Sequence, residues 1–142
     1  MLKDKVLKYY DKKYDLNCAE TMIYAANEEY GLNLNKDTFK AMAAFGGGMA
    51  IEDVCGAVTG SLAVLGIMFT KERAHESDRI KLLSQELIGQ FEKKLETNNC
   101  KLLKEKYRND EIRCSQMVEV AADVLDEIVT RELTKDEELL SK

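Results

Sequence analysis

Apolar positions recur along this chain with a helical period from one end to the other. Leu2, Val6, Tyr10 and Tyr14 share one face of a first amphipathic segment, residues 2–14, whose opposite face is rich in lysine. Asp15-Leu16-Asn17 interrupts it. Asn17 with Glu20 then forms a capping-box pair opening a second helix, Cys18–Tyr30, which Gly31 closes. A third helix starts after Asn35, carries Phe39, Met42, Ala43 and Phe45, and ends at Gly46-Gly47-Gly48. Further on, Ser77 caps a long helix with Ile80, Leu83, Leu87, Phe91 and Leu95 as its buried stripe. Asn98-Asn99 breaks it, a short helix spans Cys100–Tyr107, and Arg108-Asn109-Asp110 turns the chain. A last helix over Ile112–Arg131 carries Met117, Val120, Ala121, Val124 and Ile128, and the acidic tail 133–142 is expected to fray.

Between these amphipathic segments lies one that is not amphipathic. Val54–Phe69 carries no charge and is apolar on every side, as a helix surrounded by protein or lipid would be. It is shorter than the ~20 residues that cross a bilayer, so a buried position is favoured. Gly56 and Gly60, one turn apart with Ala63 next, form a ridge on which another backbone can approach closely. The pattern therefore predicts an all-α, single-domain bundle of about six helices around the central helix 54–69. At 142 residues, one domain with a sizeable core (residues 1–142) is expected.

Composition narrows the function classes. The chain has no Pro and no Trp and suits helices, and its net charge of -5 argues against a nucleic-acid partner. No stretch is long enough to span a membrane and the first residues lack the apolar core of a secretory signal, so a cytoplasmic location is expected. His75 stands alone among charges and carries little weight as a base. No paired histidines, carboxylate dyad or nucleophile motif stands out.

The four cysteines are the candidate chemistry. Cys18 follows the cap Asn17, Cys100 follows Asn99, and Cys55 and Cys114 fall at the starts of their helices. Helix N-termini present unpaired N–H groups and partial positive charge, which favour the reactive thiolate. Cys18 is therefore expected to be a low-pKa thiol, tempered by the neighbouring Glu20. Even numbers of helical traverses separate Cys18, Cys55 and Cys100, so all four can meet at one end of the bundle. No C-x-x-C is present. Three readings follow. The cysteines are catalytic in thiol–disulfide or electron-transfer chemistry; or all four ligate a metal ion or an iron–sulfur cluster; or they are inert small core residues of a partner-binding bundle. The glycine run lacks the order of a phosphate-binding loop, but Gly47, Gly48 and Gly56 can bring backbone close to a sulfur or a bound group.

Cys55-Gly56-Ala57-Val58-Thr59-Gly60 resembles the central motif of the C_GCAxxG_C_C family. One earlier cysteine (Cys18, in N-C-A-E), the glycines 46–48 and two later cysteines (Cys100, Cys114) extend the resemblance over nearly the whole chain. The resemblance implies a small helical protein suspected of redox activity and often encoded near transporter genes. A redox partner linked to transport is thus implied, without a substrate or cofactor. The Gly56/Gly60 ridge leaves a homodimer open.

Overall fold

In a computed structural model, which describes residues 1–141, the chain forms seven α-helices and no named strand among those residues. They are α1 (Leu2–Tyr9), α2 (Cys18–Tyr30), α3 (Lys36–Lys40), α4 (Gly56–Phe69), α5 (Arg79–Leu95), α6 (Cys100–Tyr107) and α7 (Ser115–Leu140). The all-α single domain is as the hydrophobic pattern implies. In α4, Ala57, Val58, Val64 and Leu65 are fully buried against α2, α5 and α7. α1 closes the other side by packing on α2 and α7.

Local signals place several ends. Asn17 Oδ1 accepts the Glu20 amide while Glu20 Oε1 accepts the Asn17 amide, so the capping box forms as the residues require. Gly31 ends α2 at φ 60, the left-handed value that glycine adopts without penalty. Asn99 caps α6 through the Leu102 amide.

Several boundaries differ from the sequence reading, among them the starts of α4 and α7, which fall at Gly56 and Ser115 rather than at 54 and 112. The first segment breaks at Tyr10 and resumes as a 3-10 turn at Lys12–Tyr14, where Asp11 caps Lys13. α3 stops at Lys40, so Met42, Ala43 and Phe45 lie in turns. α5 is preceded by Asp78 as the cap residue, with Ser77 Oγ accepting only the Arg79 amide. The expected fraying after Leu133 is replaced by continuous helix to Leu140, while Lys142 lies outside the described residues.

Ion pairing explains the longer helix. Glu132, 6% exposed, takes Arg79, Arg131 and Lys135, while Arg79 also grips both oxygens of Asp136. A carboxylate held by three cations ties the last turns of α7 to α5. Glu132→Ala should cost about 1–2 kcal/mol and loosen those turns. Faster amide exchange after Thr130, with exchange in α2 unchanged, is the expected reading.

Candidate functional site

Each cysteine starts a helix. Cys18 and Cys100 are the first residues of α2 and α6, behind the capping asparagines, whereas Cys55 and Cys114 are themselves the cap residues of α4 and α7. All four line one half-open cavity of about 210 Å³. The convergence that the topology allowed is present.

Two local devices assemble it. An isolated antiparallel bridge pairs Val54 with Asn99, so that the Cys55 amide donates to Asn98 O at 2.7 Å and the Cys100 amide to Asp53 O. This ties the starts of α4 and α6 together, with Cys55 and Cys100 diagonally across the bridge. On the other flank, Asn109 Oδ1 accepts the amides of Glu111 and Ile112, and Asn109 O accepts that of Arg113. The resulting tight turn holds Arg113 at φ 51 and aims Cys114 at the cavity. A left-handed non-glycine residue stores strain of order 1–3 kcal/mol, which its contacts must offset. Arg113 does so by lying over the Tyr10 ring, 4.2 Å from its centroid, and donating to the Tyr10 carbonyl.

The glycines act mainly by being small. Gly47 (φ 62) lines the cavity. A Cβ on Gly48 would lie 2.7 Å from Cys100 Cβ, and one on Gly56 would lie 3.1 Å from Cys18 Cβ. Both therefore let a cysteine-bearing element approach. Met49, Ala50 and Glu52 are also left-handed, which makes the segment before α4 a tight coil rather than a simple turn.

The four sulfurs are not equivalent. Burial pushes the Cys55 thiol up to about 11 and raises that of Cys100. Cys18 is also raised, first by its proton-sharing contact with Cys114 and then by burial. This reverses the expectation of a low-pKa Cys18. The N-terminus of α2 is already capped by Asn17, so little of its N–H potential remains for the sulfur. Cys114 alone is lowered, to about 6. The facing Cys18 thiol contributes most, and the Tyr10 hydroxyl, Arg108 and Lys104 add to it against the cost of burial. Cys114 occupies the N-cap position of α7, and no side chain makes a capping hydrogen bond at that end. Tyr10 Oη accepts the Cys114 amide at 3.1 Å and stands 4.0 Å from Cys18 Sγ.

Sequence reasoning missed Tyr10, Lys104 and Arg108 as site residues. Tyr10 read as one position of an apolar stripe, and Arg108 as part of a turn. Lys104, one turn beyond Cys100 on α6, carried the one usable signal. The four-ligand alternative is not assembled: among the described residues, no three or more Cys, His, Asp or Glu side chains are placed to hold a metal ion. All four cysteines are free thiols.

A helical bundle whose four cysteines meet at helix starts around one cavity is a thiol-bearing protein of the kind linked to redox chemistry. Residues 16–128 match the family described as "Putative redox-active protein (C_GCAxxG_C_C)", and the chain belongs to that family. Neither a curated protein nor a solved structure gives a significant match. Among the described residues no helix is long and apolar enough to cross a membrane.

Proposed function

We propose that this protein is a thiol–disulfide oxidoreductase in which Cys114 attacks and Cys18 resolves. The meeting of four free thiols around one cavity carries the reading, and within it the pKa of the Cys114 thiol is lowered while that of Cys18 is raised. An attacking thiol works best with a pKa near ambient pH, and its resolving partner must stay unreactive until a mixed disulfide forms. The Cys114 thiolate attacks a disulfide sulfur of the substrate and expels the other half as thiolate. Cys18 then gives its proton to the departing group and attacks Cys114 Sγ, which leaves a Cys18–Cys114 disulfide and two reduced substrate halves. Cys55 and Cys100, on the same cavity and kept protonated by burial, are a candidate second dithiol. Oxidation can pass to it by exchange. A cytoplasmic setting suits this chemistry, because thiols there are kept reduced between turnovers.

The reduced protein treated with one equivalent of a disulfide, then alkylated and digested, should yield a Cys18–Cys114 cross-linked peptide. Cys18→Ser should instead accumulate a stable mixed disulfide on Cys114. Four freely alkylated cysteines after excess oxidant would remove the proposal.

A further inference from the structure

We infer that the substrate of this site is a small anionic disulfide, one whose halves each carry a carboxylate. The inference rests on the thiol–disulfide reading above and names the substrate class for it. Lys104, Arg108 and Arg113 all line the cavity beside the sulfurs, and no carboxylate does. That local sign opposes the protein's net charge of -5, so general composition does not account for it. Lys104 is paired with Glu52 at 3.4 Å, so the three cations of the lining face two anions, Glu52 and the Cys114 thiolate. Arg113 is held over Tyr10. Arg108 is exposed, favours the Cys114 thiolate by its charge and makes no ion pair among the described residues, so its guanidinium donors stay open to a ligand and the cavity lining keeps one surplus positive charge.

Size supports the same class. A cavity of about 210 Å³ lies below the ~300–1,000 Å³ of pockets that enclose drug-sized ligands. One half of a small disulfide fits, with its carboxylate toward the guanidinium of Arg108 and its sulfur toward Cys114. As the Cys114 Sγ–S bond forms, the substrate S–S bond breaks and its electron pair leaves on the outer half. Cys18 then supplies the proton and the second bond, so two protein thiols are oxidised as one disulfide becomes two thiols. The cations also favour the departing anionic half as its charge develops.

Three disulfides test this with the pre-reduced full chain: dithiodiglycolate (anionic), 2-hydroxyethyl disulfide (neutral) and cystamine (cationic). Each rate of release of the small thiol is divided by that of 3-mercapto-1-propanol with the same disulfide, which removes intrinsic reactivity. The expected order is anionic, neutral, cationic, with the anion favoured over the neutral compound by about 10-fold at low salt and less as ionic strength rises. Arg108→Gln should lower the anionic-to-neutral ratio about 3-fold. That ratio is insensitive to changes in Cys114 basicity or in the fraction folded, because both substrates meet the same sulfur. Lys101→Gln, on α6 but outside the cavity, should leave it unchanged. Equal normalised rates, or a preference for cystamine, would overturn the anionic substrate while leaving the oxidoreductase reading intact. No reaction with any of the three would overturn both.

Discussion

Cys114 should be the one cysteine that alkylates rapidly at neutral pH, with a midpoint near 6. Iodoacetamide labelling across a pH series, read peptide by peptide, is the measurement. The thiolate is the reacting form, so a lowered pKa keeps the rate high above the midpoint. Below it, the rate falls about tenfold per pH unit. Cys18, Cys55 and Cys100 have raised values and should label slowly until alkaline pH. Replacing Cys18 with Ala removes the largest contributor to the Cys114 thiolate, and the midpoint should move upward. Tyr10→Phe should act in the same direction by about one pH unit, since a hydrogen bond to a charged group is worth roughly 1.5–3 kcal/mol and water replaces part of it. Burial raises the Tyr10 hydroxyl well above the ordinary tyrosine value, so it stays a donor throughout the titration. If Cys114 titrates at or above the ~8.5 of a free thiol, its role as the attacking sulfur is lost.

The chain states its local decisions openly and its long-range ones hardly at all. Asn17 with Glu20, Gly31 and Asn99 act on neighbours within a few residues, so their effects follow from sequence alone. The four helix starts that carry sulfur were legible for the same reason. Which sulfur is ionised was not. That depends on Tyr10 and on the cations of α6 and the following turn, brought together from distant parts of the chain. Helix-start placement suggested thiolates at all four positions. Burial overrides it at Cys55 and Cys100, the contact with Cys114 and then burial override it at Cys18, and the prior capping by Asn17 and Asn99 weakens it at Cys18 and Cys100. The Val54–Asn99 bridge has no hydrophobic period to announce it. The far end of α7 reads as a loose acidic tail until Arg79 of α5 is placed against Glu132 and Asp136.

Gly60→Leu should be the most damaging single substitution outside the cysteines, with Gly60→Ala next. A Cβ on Gly60 would stand 2.7 Å from Ala19 O, 2.9 Å from Ala19 Cα and 3.0 Å from Met22 Cβ. The first two neighbours are backbone of α2, which cannot rotate away as a side chain would. The whole of α2 must move off α4 instead. Overpacking of a core costs about 1–3 kcal/mol and more where the backbone is the obstacle, so Leu should fall at or above the top of that range. Gly66 supplies the control, because it lies in the same helix with nothing within 4 Å of its would-be Cβ. There the usual helical preference should prevail, and Gly66→Ala should stabilise by roughly 0.5–1 kcal/mol. Urea midpoints should therefore move in opposite directions for the same Gly→Ala change at two positions of one helix. The displacement of α2 also reaches the chemistry, because Cys18 precedes Ala19 and itself packs on Gly56. Any folded fraction of Gly60→Ala should thus form the Cys18–Cys114 cross-link in lower yield. A parental midpoint for Gly60→Leu would show that α2 does not rest on that ridge.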